Sequence, residues 1–373
     1  MTSKLRYTYR IRPGKQAKKR LLQENDNARY IYNQAVAELK TNQTWMNDKT
    51  ITKLRQKHDW LKQGSVVSQQ QSLRDFKQSK GKKKFKSRHK SLPSVNYTQR
   101  GFSIIDEINT ITGEVRTRLK IAGGHIIPVV WSRDLPSKPT SVRVYQDSIG
   151  HWYASFVVEV NKETLPKTNK SIGVDWGVKT IATTTNSRFD LEQPKFSRKA
   201  QAQLARAQRE LARRKKGSNH RAQSKKRVAR LHKKVANQRK DFAHKWAFKI
   251  VNEFDQIAVE DFKSKFLFQS KMARSAGDNA VGLMKRILCE KGVLLGRNVV
   301  LVSPRYTTMD CSECGSRAKN RIELSVRVFE CVSCGVSVDR DYNAACNVLY
   351  RAGFNPLIVE NVRPVAGSLA QAV

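Results

Sequence analysis

Residues 171–185 read SIGVDWGVKTIATTT. An apolar run ends on Asp175, Trp176-Gly177 makes a tight turn, and a β-branched run follows, so the pattern predicts a strand, a turn and a second strand. Downstream, DQIAVEDF (255–262) returns to strand with Glu260 at its end, and NVVLVSP (298–304) forms another. VDRDYNAACNVL (338–349) then sets Asp339 and Asp341 at the mouth of an apolar helix expected over 342–352. Singly, each acid has an ordinary reading: a solvent-facing carboxylate at a strand terminus, or a cap that favours the helix dipole.

Taken together, the acids point elsewhere. One on a first strand followed by a hairpin, one on a later central strand and one on the last helix form the arrangement of an RNase H-like α/β domain. Three carboxylates about 4 Å apart repel by about 4 kcal/mol per pair at an effective dielectric of about 20. Such a cluster needs cations, and a pair of Mg²⁺ or Mn²⁺ ions held by carboxylates is the two-metal phosphodiesterase solution.

Between the second and third acids, Cys311, Cys314, Cys331 and Cys334 form C-x2-C-x16-C-x2-C, each pair followed by Gly315 or Gly335. Two knuckle turns that bring four thiolates together suit tetrahedral Zn²⁺, and four cysteines leave no position for water, so the zinc is structural. Cys289 and Cys346 fall on apolar helical faces and read as core packing. This cysteine usage suits a reducing compartment better than a disulfide frame.

The charge explains what the acids would act on. The 373 residues carry 72 Lys+Arg against 31 Asp+Glu, a formal net charge of +41. So large an excess opposes a free compact state and calls for a polyanion, of which nucleic acid is the common one. Two tracts concentrate it. KQSKGKKKFKSRHK (77–90) has eight basic residues and no acid, among them Lys82, Lys83, Lys84, Lys86 and Arg88, with Phe85 interleaved. Between Arg198 and Lys249 stand 19 Lys/Arg against Glu210 and Asp241. There Val228, Leu231, Val235, Phe242, Trp246 and Ile250 recur at helical spacing, so one face packs and the rest is cationic. KKGSNH (215–220) separates two antiparallel helices, placing Arg213, Arg214, Lys215, Lys216, Lys225, Lys226, Arg227, Lys233 and Lys234 as candidate nucleic-acid contacts. No run approaches 18 apolar residues and no signal-like segment opens the chain, so a cytoplasmic protein without membrane association is expected.

The first half reads differently. SKLRYTYRIR (3–12) alternates as a strand and stops at Pro13-Gly14, and Lys15 to Lys40 carries a long amphipathic helix. Weaker helical stretches follow at about 50–62 and 65–79. From Ser94 to Val160 short alternating runs return, with a hairpin at the DSIG turn (147–150), and the polar, proline-bearing NKETLPKTNK (161–170) makes a linker. The expected fold class is therefore a multidomain α+β chain. A small antiparallel β-barrel (1–14 and 94–165) is interrupted by a helical insert (15–93). An α/β nuclease domain (166–304 and 338–354, including basic helices over 198–252) carries a zinc ribbon (305–337), and a C-terminal tail occupies 355–373.

GVDWGVKTIATT, IAVEDF, RYTTMDCSECG, FECVSCG and DRDYNAACNVL occur in the order of the three RuvC motifs and zinc finger of the TnpB proteins. These are transposon-encoded RNA-guided DNA endonucleases related to compact type V CRISPR effectors. The chain resembles that family closely over about 170–352, and in layout over the first half. The resemblance implies a RuvC nuclease in which Asp175, Glu260 and Asp341 hold two Mg²⁺ (or Mn²⁺) ions, with Asp339 supporting the turn or helix start. It further implies a wedge-like barrel, a guide RNA from the transposon end, double-stranded target DNA beside a short adjacent motif, and one protein chain per RNA. A nuclease-silent RNA-guided repressor would lack one of the acids, whereas a CRISPR-borne effector would share them all. The stretch after Glu260, FKSKFLFQSKMARSAGDNAVGLMKRILCEKGVLLGRN, departs from the family in lacking the aromatic residues many relatives carry there, and the basic recognition segment is short.

Overall fold

The computed structural model describes residues 2–88, 91–108, 113–161, 164–177, 180–262, 280–320, 322–323 and 325–354. The tail at 355–373 and residues 263–279 of the stretch after Glu260 lie outside them. The chain forms two units, 1–161 and 162–373.

Alternation builds the first unit. In β1 (Thr2–Ile11), Lys4, Arg6, Thr8 and Arg10 face outward while Tyr9 and Ile11 are buried. After Pro13-Gly14, α1 (Lys15–Thr41) buries Leu21, Ile31, Ala35 and Val36 at helical spacing. The helical stretch expected at 50–62 is two pieces, α2 (Asp48–Lys57) and α3 (Asp59–Lys62), broken at His58. That residue adopts an extended backbone and gives its N–H to Leu54 O at 3.0 Å, ending one helix and opening the next. α4 (Val66–Gln78) then packs Leu73 and Phe76 against α1.

Six strands follow: β2 (Ser94–Thr98), β3 (Phe102–Ile108), β4 (Val115–Ile121), β5 (His125–Val130), β6 (Ser141–Gln146) and β7 (Trp152–Asn161). With β1 they form a seven-stranded sheet in the order β2-β6-β7-β1-β5-β4-β3, all pairs antiparallel. The hairpin expected at 147–150 joins β6 to β7, with Asp147 Oδ1 accepting the N–H groups of Ile149 and His151 and Gly150 at φ +98°. The two edge strands, β2 and β3, are consecutive in the chain and joined by a single 3-10 turn at 99–101. The sheet must therefore curl until its edges meet at that corner. Because the turn redirects the backbone there, no ladder forms between them, and the expected closed barrel is a half-barrel.

The second unit is built on strands buried on both faces. β8 (Ser171–Trp176) turns back as β9 (Thr180–Thr184), and β10 (Leu191–Glu192) follows. The basic helices α5 (Phe196–Arg213) and α6 (Asn219–Glu253) lead to β11 (Gln256–Glu260), then α7 (Val281–Leu294) to β12 (Asn298–Val302). The sheet order is β10-β9-β8-β11-β12, with β11 parallel to both β8 and β12 and β9 antiparallel to β8. A short hairpin of β13 (Val328–Glu330) and β14 (Ser337–Asp339) runs directly into α8 (Arg340–Arg351).

Strand periodicity now fixes which side each residue faces. Ile172, Val174, Ile257 and Val259 pack with Trp246, Ile250 and Leu288 from α6 and α7. The residues between them face the other way. Ala258 packs with Val348 and Leu349 of α8, and Gly173 lies so close to that helix that a Cβ would come within 2.1 Å of Ala345 O. By the same parity Asp175 and Glu260 are directed to the α8 face.

Candidate active site and metal centre

Asp175 and Glu260 stand at the ends of neighbouring strands, 6% and 5% exposed, close enough that each acts on the other's titration. Asp341 lies in the first turn of α8, close enough that its charge acts on Asp175. Asp339 is the cap of α8, its Oδ1 accepting the Tyr342 N–H at 2.8 Å. The three acids do not form a closed cage. Asp341 pairs instead with Arg340 at 3.2 Å and Arg327 at 3.3 Å, and its side chain is 25% exposed.

Burial, then repulsion from Glu260 and Asp341, push the Asp175 carboxyl well above the usual carboxylate range. Burial likewise pushes Glu260 up to about 7, against hydrogen bonds from Trp176, Asp175 and Thr307 and the nearby charge of Lys285. A buried pair of carboxylates whose titration is pushed upward by burial and mutual repulsion gains from a nearby cation, so the donor set suits hard divalent ions.

This gives a stability prediction. Both acids titrate higher folded than unfolded, so the folded chain holds extra protons. The resulting stabilisation is complete below the ordinary carboxylate range and lost as pH rises through about 7. In chelator, the thermal midpoint should fall as pH is raised from about 5 to about 8, and Mg²⁺ or Mn²⁺ should restore it more at the higher pH. Differential scanning fluorimetry at several pH values checks this; a pH-independent cation effect would speak against these acids as its seat.

The second centre is more nearly formed. Among the described residues, the four cysteines bring their ligand atoms close together, the sulfurs all within 4.8 Å of one another, whereas the three acids do not gather as tightly. Cys311 Sγ lies 3.7 Å from Cys334 Sγ, and Cys314 Sγ 3.6 Å from Cys331 Sγ. Four sulfurs at the zinc–thiolate bond length of about 2.3 Å sit about 3.8 Å apart in a tetrahedron, so the cluster fits Zn²⁺. The knuckles also prepare the ligands: the Cys334 backbone N–H, helped by that of Ser333, holds the Cys331 thiol down to about 6 against desolvation. Cys289 and Cys346 are half-buried on α7 and α8, apart from this group.

The basic candidates divide. Arg213, Arg214, Lys215, Lys216, Lys225, Lys226, Arg227 and Lys234 are exposed at the α5–α6 hairpin, with Lys233 half-buried. Glu210 draws in Arg227 at 3.1 Å and Arg214 at 3.7 Å. In the other tract Lys82 and Lys84 are exposed, whereas Lys83 folds back over Phe76 at 5.1 Å and Lys86 over Tyr32 at 3.6 Å. Arg88 reaches Asp26 at 3.8 Å. The tract is thus partly docked on α1 and α4 by cation–π contacts.

Several residues around the acids carried no signal in the sequence reading. Trp176 Nε1 donates to Glu260 O at 3.0 Å, Lys285 pairs with Asp261 at 2.6 Å, and Arg340 is buried beside Asp341. Asn343 and Asn347, both buried on α8, were available as a clue, since asparagine one turn apart inside an apolar helix is costly unless its amide is used.

Residues 155–271 match the family described as "Probable transposase" (OrfB_IS605), and residues 282–348 match "Cas12f1-like, TNB domain". A Streptomyces pristinaespiralis protein named "Putative RNA-guided DNA endonuclease" is 28% identical over 302 residues, 78% of this chain and 72% of its own. The Escherichia coli (strain K12) protein "Putative RNA-guided DNA endonuclease InsQ" is 28% identical over 386 residues, 92% of this chain and 91% of its own. Among solved structures, a Cas12f1-sgRNA-target DNA complex superposes with a TM-score of 0.54 at 16% identity, covering 93% of this chain and 98% of that one. That last likeness is one of fold. Among the described residues, no helix is long and apolar enough to cross a membrane.

Proposed function

We propose, from the premise that this chain belongs to the TnpB family that the OrfB_IS605 model describes, that it is an RNA-guided DNA endonuclease of RuvC type. The observation that carries the reading is the buried Asp175–Glu260 pair on adjacent parallel strands, with Asp341 at the mouth of the helix packed across them. The strand order β10-β9-β8-β11-β12, antiparallel from β10 to β8 and parallel from β8 to β12, supports an RNase H-like domain. The half-barrel with its helical insert would be the guide-holding unit, and the four-cysteine segment a zinc ribbon within the nuclease unit.

In this reading Asp175, Glu260 and Asp341 hold two Mg²⁺ or Mn²⁺ ions. Bound there, such ions activate water for attack on a DNA phosphate and offset charge on the leaving oxygen. The protein's own part is positional. The strand ends fix two carboxylates in a water-poor setting, Trp176 braces the end of β11, and α8 carries the third acid. Exposed cations of the α5–α6 hairpin, with Lys82 and Lys84, meet phosphates of the guide RNA and target duplex, so base pairing supplies the sequence reading. All three acids are present, which favours a nuclease over a silent repressor; genomic neighbourhood separates a transposon-borne protein from a CRISPR-borne one.

The test is a salt titration of the RNA that copurifies with the protein against a scrambled RNA of equal length, from about 50 mM to about 500 mM salt. Phosphate contacts alone should lose orders of magnitude of affinity across that span for both RNAs. The cognate RNA should keep its advantage, since its folded shape and stacked bases persist, and should direct cleavage of a matching duplex. Equal collapse of the two curves would leave only a basic, metal-dependent nuclease.

A further inference from the structure

Strand register lays two rows of side chains across the outer face of the first unit. β1, β7, β6 and β2 lie side by side, so Arg10 stands opposite Tyr153, Tyr153 opposite Tyr145, and Tyr145 opposite Ser94. The next row is Thr8, Ser155, Arg143 and Asn96. The residues between the rows, Tyr9, Ala154, Val144 and Val95, are buried in the core, so by the two-residue period both rows face the other side. Tyr145 and Tyr153, both half-buried, stack there with ring centroids 5.5 Å apart and planes 23° apart.

Arg143 is the common wall of two cavities on this side. One, of about 470 Å³, spreads over the sheet beside Arg6 and Tyr145. The other, of about 210 Å³, sinks between the sheet and the helical insert, where Arg29 of α1 and Lys86 of the basic tract also line it. The cations are set in place by other contacts. Asn33 clamps the main chain of Lys86 to α1, its Oδ1 accepting the Lys86 N–H at 2.8 Å and its Nδ2 donating to Lys86 O at 3.0 Å. The Lys86 ammonium then rests 3.6 Å from the centre of the Tyr32 ring. Arg143 Nε donates to Ser94 Oγ at 2.7 Å, and Arg29 is shared with Asp26 at 3.2 Å. Among the described residues one carboxylate, Asp75, lines the smaller cavity, and both of its oxygens already accept, from Gln71 at 3.2 Å and Asn96 at 2.6 Å. Three cations around a cavity whose acid is already engaged leave a positive site that an anion completes.

We propose that this face holds an unpaired segment of RNA, with one phosphodiester seated among Arg29, Lys86 and Arg143 and an adjoining base stacked on the Tyr145–Tyr153 pair. The proposal rests on the reading of the half-barrel as the guide-holding unit. A groove that pairs cations with aromatic rings suits a single strand, whose bases are free to stack, whereas a duplex keeps its bases inside and meets the cations alone.

In the full chain, ethylation interference is mapped on the RNA that copurifies with the protein and, separately, on the target duplex. Wild type is compared with Arg143→Gln and Lys86→Gln, and Lys53→Gln on the exposed side of α2 is the charge-matched control. We expect one unpaired RNA linkage whose ethylation weakens wild-type binding about 10-fold or more. Arg143→Gln should bind unmodified RNA more weakly by a similar factor and be indifferent to ethylation at that linkage, while Lys53→Gln stays sensitive to it. Tyr145→Ala should lower RNA affinity by about 10-fold, and Tyr145→Phe should restore it. Melting midpoints check folding, and Arg143→Lys, which keeps the charge without the planar fork, gives the same comparison should Arg143→Gln melt early. The absence of any linkage whose effect depends on Arg143, or its appearance in the target duplex or in paired RNA, overturns the proposal. Wild-type RNA affinity in Tyr145→Ala overturns the stacked base. A wild type that shows the linkage but cuts no guided target overturns the nuclease reading instead and leaves the groove standing.

Discussion

Asp341→Ala should abolish guided DNA cleavage while leaving guide RNA and target binding within a few-fold of wild type. The carboxylate stands at the mouth of α8 beside the Asp175–Glu260 pair and has no role in packing: its side chain is 25% exposed, and its contacts are ion pairs with Arg327 and Arg340. Losing one ligand of a two-ion site removes several kcal/mol of transition-state stabilisation, or about 10³-fold in rate. Asp339→Ala is the control. That side chain caps α8 by accepting the Tyr342 N–H, and removing such a cap costs about 1 kcal/mol of stability, so the variant should melt earlier yet cut. Single-turnover cleavage and filter binding on both variants decide the matter. Activity surviving in Asp341→Ala and lost in Asp339→Ala would exchange their roles.

That pair also shows what sequence could and could not reveal. Position alone does not separate the two aspartates: with the helix read over 342–352 either can cap it, the resemblance points to Asp341 for the metal, and the structure starts the helix at Arg340 with Asp339 as its cap. The parity of GVD and AVE carries real information: side chains two apart share a face, so Asp175 follows Gly173 and Glu260 follows Ala258 onto the side that α8 covers. What no periodicity displays is how closely that helix approaches, and Gly173 reads as an unremarkable strand glycine until Ala345 O is seen against it. Charge counting is blind to such neighbours for a related reason. Lys83 and Lys86 look like free cations in an acid-free tract, but Phe76 and Tyr32 come to them from distant positions in the chain. The open edge of the half-barrel was hidden too, since strand runs do not state whether first and last neighbours pair. Asn343 and Asn347 are ordinary polar residues whose importance lies entirely in which buried atoms they reach.

Cys311→Ser should release the zinc and unfold the segment from about 305 to 339, and with it lower cleavage far more than RNA binding. The core of this segment is small: Cys311, Phe329, Cys331 and Val338 are buried, with Ile322 and Val336 packed against them. Two of those four are themselves ligands, so little apolar burial remains once the metal leaves, and a structural zinc typically contributes about 10–16 kcal/mol of apparent binding energy to folding. The consequence does not stop at the knuckles. Asn343 and Asn347 lean on the backbone at 307–312, and β14 passes without a break into α8. Freeing that backbone leaves two buried amides of the acid-bearing helix without partners. Limited proteolysis and hydrogen exchange should therefore show new exposure across 305–339 and faster exchange in the first two turns of α8, with the half-barrel unit unchanged. One zinc per wild-type chain and less than half that in the variant are expected from elemental analysis. A wild type without zinc, or a variant that loses zinc yet keeps its protease resistance and its cutting rate, would mean that the helix carrying Asp341 stands without the metal.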